Sequence, residues 1–337
     1  MIKVSFILIG YNIEQYVEKA ILSVVNQTIS DIELIMVDDG STDGTLEIMR
    51  KFEEEYVSCK VIQQSNKGAN AARKEGFKCA VGKYVVFIDG DDWVEEKLAE
   101  EVYEVAEEGK YDIVMYNHNI VNEKKCCIKR NNLDKEDENK YLELMLQQKI
   151  SHCIWDRMYS RDFLDKNSFI NIPNITMGDD LTINIRMAIE KPKVKFISKP
   201  YYYYYQREDS VTKKMSKKTI EIEKALLDVE NSLKKSNLYS RYKREIEFLW
   251  YKHSYISPII NKRYVDRKIS QTLFRIWKSK NINSNKNELC LEINSRMTGM
   301  IKVKKKCFDI NYYLGYIVSK ILLYLYKIRK IQVCRVR

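Results

Sequence analysis

The segment YVVFIDGDDWV, residues 84–94, joins an apolar run to a cluster of acids. Residues 84–88 are mostly apolar and β-favouring, so they predict a strand that is buried on both faces. Asp89, Asp91 and Asp92 follow within four positions, and carboxylates so close together repel one another in water. We therefore expect a positive charge to be bound at the end of this strand.

Four other segments share the apolar, β-favouring character of residues 84–88. They are VSFILI (4–9), IELIMV (32–37), KVIQQ (60–64) and DIVMYNH (112–118). Helical patterns separate them, and Asn12 is expected to cap the first helix. Buried strands that alternate with helices indicate an α/β fold with a doubly wound, mainly parallel sheet, in which ligands bind beyond the carboxyl ends of the strands. The segments at these ends are GY (10–11), DDGS (38–41) and DGDD (89–92).

The length and composition predict an ordered chain of more than one part. Its 337 residues exceed one domain, 45% of them are hydrophobic, and only four are proline. After residue 215 the pattern turns helical, with apolar residues at spacings of three and four. We expect a Rossmann-like α/β domain over residues 1–215, a mostly helical C-terminal region over residues 216–300 and a basic amphipathic tail over residues 301–337.

The net charge of +11 is concentrated in this tail. Residues 301–337 contain ten Lys or Arg but only Asp309 as an acid. The segment 312–330 is apolar and Tyr-rich, so it predicts either a final helix packed on the body or an interfacial helix on an anionic membrane surface. We favour the membrane interpretation.

Other sequence features predict the compartment. The chain shows no basic segment followed by an apolar stretch before its first strand, which predicts no secretory signal. The longest apolar runs fall short of the roughly 18 residues of a membrane span. The eight cysteines include no CxxC pair, which favours reduced thiols over a zinc site. We expect a cytoplasmic protein that is peripheral on the inner face of the cell membrane.

The Asp-Gly-Asp of residues 89–91 is suited to a divalent cation. Mg²⁺ or Mn²⁺ is often held by one or two carboxylates while substrate phosphates complete the shell. Such an ion would neutralise a diphosphate leaving group. In the alternative interpretation, the acids cap a helix that starts at Asp91, since helix N-termini favour negative charge. The three acids alone do not decide between the two.

The order and spacing of seven segments resemble those of the inverting glycosyltransferases of family two, which have the GT-A fold. The resemblance covers about residues 1–212 and implies sugar transfer from a nucleotide-diphosphate sugar, with UDP the expected nucleotide. The segments are VSFILIGYN…SVVNQT, IELIMVDDGSTDGT, NKGANAARKEG, GKYVVFIDGDDW, SHCIWDRMY, MGDDL and YYYYYQREDSVT.

For the donor nucleotide, the resemblance implies that Tyr11 and Asp39 hold the base, with Asp38 beside them. A ring can stack on a base, and a carboxylate can accept a hydrogen bond from a base N–H. Asp89 would approach the ribose or the metal shell. Arg73 would lie near the nucleotide, although its RK segment replaces the Arg-Asn pair usual in the family.

For the metal and the reaction, the resemblance implies that Asp91 is the main protein ligand of the cation. It also implies that Asp180 is the catalytic base. Asp179 replaces the glutamate of the family's Glu-Asp pair, and we expect it on the acceptor side. A base must take the proton of the acceptor hydroxyl as that hydroxyl attacks the anomeric carbon.

Three further residues are expected around the acceptor and the diphosphate. Trp155 would form a floor for the acceptor sugar, with a buried core position as the alternative. Arg207 and Ser210 resemble the family's segment that closes over the diphosphate.

The function that we expect from the sequence is inverting, metal-dependent sugar transfer in surface polysaccharide biosynthesis. The acceptor would be a glycan, expected to be lipid-linked because of the basic tail. A nucleotidyltransferase is the first alternative, but no Gly-rich phosphate loop follows the first strand. A nucleic-acid binder is the second, but the tail is too apolar to track phosphates. We therefore expect no nucleic-acid partner.

Overall fold

A computed structural model describes residues 1–122, 125–129, 139–167, 175–207, 215–262 and 265–335. The chain separates into two compact units, Met1–Asp209 and Ser210–Arg337. The sequence analysis placed divisions at residues 215 and 300.

The first unit contains one nine-stranded sheet. Its strands are β1 (Val4–Gly10), β2 (Ile32–Asp38), β3 (Cys59–Gln63), β4 (Tyr84–Asp89), β5 (Trp93–Val94), β6 (Ile113–Asn122), β7 (Lys125–Lys129), β8 (Arg157–Ser160) and β9 (Val194–Tyr205). Its helices are α1 (Val17–Val25), α2 (Thr45–Glu55), α3 (Ala69–Cys79), α4 (Leu98–Gly109), α5 (Tyr141–Leu146), α6 (Arg161–Asn167) and α7 (Asp179–Ile189).

The strand order is β3-β2-β1-β4-β8-β6-β9-β5, with β7 paired to β6. The four strands from β3 to β4 are parallel, as predicted for apolar strands separated by helices. The predicted α/β class is confirmed, but the sheet is mixed. Strand β8 pairs antiparallel with both β4 and β6, while β9 runs parallel to β6. The hairpin of β6 and β7 was not predicted.

One local prediction was wrong, and one alternative interpretation does not hold. Helix α1 begins at Val17 with Tyr16 at its N-cap, whereas Asn12 was expected there. The Asn12 backbone is left-handed, and its Oδ1 accepts a hydrogen bond from the Thr42 N–H at 2.8 Å. The acids of residues 89–92 also do not cap a helix, because α4 begins only at Leu98.

The second unit is helical where the structure describes it. It contains a 3-10 helix (Lys217–Glu221) and a π-helix (Lys252–Ile260). Its α-helices are α8 (Ile222–Lys235), α9 (Lys243–Tyr251), α10 (Arg267–Ser279), α11 (Glu288–Ser295), α12 (Gly299–Ile310) and α13 (Tyr312–Arg335). Within the described ranges, no helix is long and apolar enough to cross a membrane.

Candidate active site

The turn after β4 aims its three carboxylates in different directions. The Asp92 N–H donates to the Asp89 carbonyl at 2.9 Å and closes the turn. A Cβ on Gly90 would lie 2.9 Å from the Ile9 carbonyl oxygen and 2.4 Å from the Ile13 side chain, so the close approach to the β1 backbone favours glycine. Asp89 and Asp91 remain partly exposed, while Asp92 is buried. The turn therefore presents two of its acids to a ligand.

The buried acid of this turn ties it to β9. Asp92 accepts hydrogen bonds from the Tyr205 N–H and the Tyr202 hydroxyl, each at 2.7 Å. The same Tyr202 hydroxyl accepts one from the Asp89 N–H at 3.1 Å. Burial, followed by the neighbouring Asp91 and Asp89, raises the pKa of Asp92 well above its usual value. Asp92 thus holds the turn in place, a role that its sequence position alone did not indicate.

A buried guanidinium connects the end of β4 to the start of α7. Arg73 on α3 donates to Asp89 at 2.8 Å and to Asp180 at 3.2 Å, and lies 3.8 Å from an Asp179 oxygen. Burial opposes its charge, but the three carboxylates outweigh burial and raise the pKa of Arg73. The structure therefore brings together four residues that the sequence analysis assigned to separate tasks.

The expected base lies in the first turn of α7. Gly178 precedes the helix with a φ of +84°, and Asp179 and Asp180 are its first two residues. The Asp180 side chain retains 28% exposure. Burial raises the pKa of Asp180 most strongly, Arg73 lowers it, and Asp179 and Asp89 raise it further, so that the resulting pKa is about 7. A carboxyl group that titrates near neutrality is suited to general-base catalysis.

A second buried arginine positions α7. Arg157 donates to the Asn184 side-chain oxygen at 2.6 Å, and the Asn184 amide donates to the Asp180 carbonyl at 3.0 Å. Arg157 also pairs with the buried Asp156 at 2.9 Å. Arg157 lies in the SHCIWDRMY segment, in which only Trp155 was expected to have a role. The signal was the adjacent Asp-Arg pair at the start of β8, next to Trp155 and close to other large side chains, since such charges are buried mainly in pairs.

The three residues expected at the base differ in accessibility. Tyr11 is exposed beyond the end of β1. Asp39 is buried and accepts hydrogen bonds from the Gln64 amide and from two backbone N–H groups, those of Lys67 and Gly68, at 2.6 to 2.8 Å. Asp38 is fully buried and accepts from the Ser41 N–H. In this structure both acids shape their loops, and their contact with a base stays a prediction.

The residues expected at the acceptor and the diphosphate have different surroundings. The Arg207 Nε lies 3.0 Å from an Asp91 oxygen, and its guanidinium covers the Tyr16 ring. Trp155 is 4% exposed and stacks on Tyr202 with ring centroids 4.3 Å apart. This burial favours the core alternative for Trp155 over an acceptor floor. Ser210 lies outside the described residues.

The carboxylates fit a cation that takes most of its ligands from a substrate. Among the described residues, no group of three or more His, Cys, Asp or Glu is arranged to hold a metal ion alone. Asp91 and Asp89 are accessible carboxylates at the edge of the sheet, and each faces an arginine. Two hard oxygen donors of this kind suit Mg²⁺ or Mn²⁺ that is shared with phosphates and water.

Comparisons with known proteins agree with this geometry. Residues 5–168 match the family model of glycosyl transferase family 2. The chain is 28% identical over 294 residues to the cholesterol galactosyltransferase of Borreliella burgdorferi, covering 80% of this chain and 82% of that protein. It is 29% identical over 225 residues to the glycosyltransferase EpsJ of Bacillus subtilis and spans 62% of that protein's length and 62% of its own.

The crystal structure of S. aureus TarS in complex with UDP-GlcNAc has the same fold. Its TM-score is 0.67 at 18% identity, over 96% of this chain and 91% of that chain. The family match and the shared fold confirm the resemblance that the motifs indicated. The chain therefore has the GT-A fold, and its residues 5–168 are similar to the glycosyltransferases of family 2.

Proposed function

We propose that this protein transfers a sugar from a UDP-sugar to a hydroxyl of a glycan acceptor, with inversion at the anomeric carbon. The observation that carries the proposal is the contact of Arg73 with both Asp89 and Asp180. This contact joins the strand end where the diphosphate is expected to the carboxyl whose pKa lies near neutrality. A leaving group and a base must lie on the two sides of one anomeric carbon in a single displacement.

The chemistry assigned to Asp180 is removal of the acceptor proton. The acceptor oxygen forms a bond to the anomeric carbon while the bond from that carbon to the diphosphate oxygen breaks. The electron pair of the broken bond leaves with the diphosphate, and the acceptor proton passes to Asp180 Oδ. Only the ionised carboxylate can do this. Asp179 would orient the acceptor from the neighbouring position.

Asp91, with Asp89 beside it, would hold Mn²⁺ or Mg²⁺. When bound, the ion supplies positive charge against the diphosphate as negative charge develops on it. Arg207 is already at the Asp91 carboxylate, and a guanidinium pairs well with phosphate oxygens. We assign Arg207 to the diphosphate of the bound donor.

The donor and acceptor classes rest on the relatives. TarS has been crystallised with UDP and with UDP-GlcNAc, which supports a UDP-sugar donor for this chain. One relative is a poly(ribitol-phosphate) beta-glucosyltransferase of Bacillus spizizenii, 33% identical over 117 residues. The relative from Borreliella burgdorferi is named a cholesterol galactosyltransferase, and cholesterol is a lipid. We propose a lipid-linked glycan acceptor and a role in surface polysaccharide biosynthesis.

The tail would bring the enzyme to that acceptor. Exposed apolar side chains and exposed lysines occur together on α12 and α13. This composition is typical of helices that lie on anionic membranes. We propose peripheral attachment to the inner face of the cell membrane.

Removal of divalent cations should abolish donor turnover. The purified protein is incubated with Mn²⁺ or Mg²⁺ and a panel of UDP-, GDP- and dTDP-sugars plus lipid extract, and nucleoside diphosphate release is followed. EDTA should lower release by about 100-fold, because the ion contributes several kcal/mol at the leaving group. Asp91→Ala should cause a loss of similar size in the presence of Mn²⁺. Full activity in EDTA would exclude a metal-dependent mechanism.

The pH dependence of kcat/KM should report the protonation of Asp180. Because its pKa is raised to about 7, kcat/KM should rise with pH and reach half of its plateau near pH 7. An unperturbed aspartate of pKa about 3.9 would place this limb at much lower pH. Initial rates from pH 5 to pH 9 test the expectation, and a profile that is flat from pH 5 to pH 8 would contradict it.

A further inference from the structure

The second unit contains a cleft with a volume of about 360 Å³. It lies between α12, α13 and the end of the π-helix. One face of each α-helix lines it, because the lining positions recur at spacings of three and four. These residues are Met300, Ile301 and Lys304 on α12 and Leu322, Leu323 and Tyr326 on α13. The lining is largely apolar, but Asn261, Lys262 and Ser319 also line it, and Lys304 contributes a buried ammonium group.

Lys304 is 4% exposed and has an unusual environment for a lysine. Its Nζ donates to the carbonyl of Ile259 and, at 2.8 Å, to that of Lys262, so it caps the end of the π-helix. Burial lowers the pKa of Lys304 to about 8, and among the described residues no neighbouring carboxylate offsets this effect. Buried charges are normally paired with an opposite charge, whereas the hydrogen-bond partners of this ammonium are carbonyl oxygens.

The ammonium also has hydrogen-bonding capacity left. A lysine has three N–H donors, and the two carbonyls account for two of them. Most of the remaining lining consists of aliphatic side chains and the Tyr326 ring. A ligand that fits must therefore combine one anionic group with an apolar chain.

The exposed surface of α12 and α13 has the composition of a membrane contact. Ile310, Ile317 and Tyr324 are 71%, 56% and 65% exposed. Lys302 and Lys306 on α12 are exposed as well. Exposed apolar side chains in such number mark an interaction site, and lysines among them select an anionic surface.

We propose that the cleft binds one anionic phospholipid of the membrane, with its phosphate at Lys304 and a hydrocarbon chain between α12 and α13. Charge complementarity favours this occupant, because the phosphate supplies the negative charge that Lys304 lacks. The apolar walls accept the chain. This inference deepens the proposed membrane attachment and is independent of the sugar chemistry, since lipid binding requires neither donor nor acceptor.

A monomeric lipid tests binding in the cleft separately from binding of a membrane to the exposed surface of α12 and α13. Dihexanoyl-phosphatidylglycerol, below its micelle concentration, is titrated calorimetrically into the full chain, where saturable binding to one site is expected. Lys304→Met should weaken this binding at least about tenfold, as for loss of a hydrogen bond to a charged group. Lys302→Met makes the same substitution on the same helix outside the cleft, and should change the affinity less than about twofold. Inorganic phosphate alone should bind at least about tenfold more weakly, because it leaves the apolar walls unfilled.

A second variant covers the case in which Lys304→Met lowers stability. Leu323→Trp fills the cleft from a half-buried position and leaves Lys304 in place, and it should weaken binding of the short-chain lipid at least about tenfold. Thermal unfolding of each variant shows whether the fold is kept. Wild-type affinity in a folded Leu323→Trp variant would overturn the cleft proposal, as would failure of the wild-type chain to bind the short-chain lipid.

Vesicles test the underlying membrane contact separately. Sedimentation with phosphatidylcholine vesicles, with and without phosphatidylglycerol, should show binding that depends on the anionic lipid. If such vesicles bind the wild type but Lys304→Met and Lys302→Met weaken binding equally, the membrane contact stands and the cleft proposal is wrong. If the wild type does not bind anionic vesicles, the proposed membrane contact itself is wrong. Neither result bears on glycosyl transfer, which is measured by nucleoside diphosphate release.

Discussion

Asp180→Asn is expected to lower kcat by about 1,000-fold, which lies within the range for loss of a general base. The asparagine has nearly the same shape and can still accept a hydrogen bond from Arg73, but it cannot take the acceptor proton at neutral pH. Donor binding should persist, because the Asp180 side chain is connected to the expected nucleotide site through Arg73, which keeps its contact with Asp89. Single-turnover rates with a matched acceptor, together with calorimetric donor binding, measure the two effects.

Asp179→Asn is the matched control for this variant. It makes the same chemical change at the neighbouring residue of the same helix turn, where the carboxylate lies farther from Arg73. We expect a loss of about tenfold or less, the size of one positioning hydrogen bond. If Asp179→Asn lost as much activity as Asp180→Asn, or more, the assignment of the base would have to move to Asp179.

The stability of the Asp180→Asn variant shows whether its loss of activity could arise from unfolding. The raised pKa means that ionisation of Asp180 costs stability in the folded state, and this cost grows as the pH rises from about 4 to above 7. A neutral asparagine avoids the cost. The free energy of unfolding at pH 8 should therefore not fall, so that the loss of activity cannot be assigned to unfolding.

The strands that carry the site could be predicted from sequence because each is a short apolar run followed by turn residues. β1, β2 and β4 begin and end within one or two residues of their predicted positions. The acids at the end of β4 were recognised for the same reason, since hydrophobicity changes abruptly there. Periodicity and turn chemistry act over a few residues and are visible in a single sequence.

The connections between these acids could not be predicted in the same way. Arg73 and Asp180 are 107 positions apart and meet only because α3 and α7 are brought to the same edge of the sheet. Burial of Asp92 likewise depends on β9. Both contacts depend on the strand order of the sheet, in which β8 lies between β4 and β6. Short segments that are rich in aromatic residues contain no local signal for strand order. The pairing of β8 and β9 with the other strands could therefore not be predicted from them.

Arg73→Met is expected to lower the free energy of unfolding at pH 7 by about 3–5 kcal/mol, the cost of removing one partner from a buried ion pair. The guanidinium lies among Asp89, Asp179 and Asp180, and these would be left to repel one another. Because Arg73 lowers the pKa of Asp180 in the wild type, that pKa should move above 7 in the variant. The rising limb of kcat/KM should shift to higher pH accordingly.

The dependence of this loss on pH distinguishes charge from packing. Protonation relieves the repulsion among the three acids, so the destabilisation by Arg73→Met should be smaller at pH 5 than at pH 7. A loss caused only by altered packing would be the same at both values. Arg50→Met removes an exposed guanidinium that pairs with Glu53, and should cost less than about 1 kcal/mol at either pH. Denaturant unfolding of the wild type, Arg73→Met and Arg50→Met at pH 5 and pH 7 distinguishes the two causes. Equal losses for Arg73→Met at pH 5 and pH 7, with an unmoved kcat/KM profile, would mean that Arg73 does not set the charge state of the base.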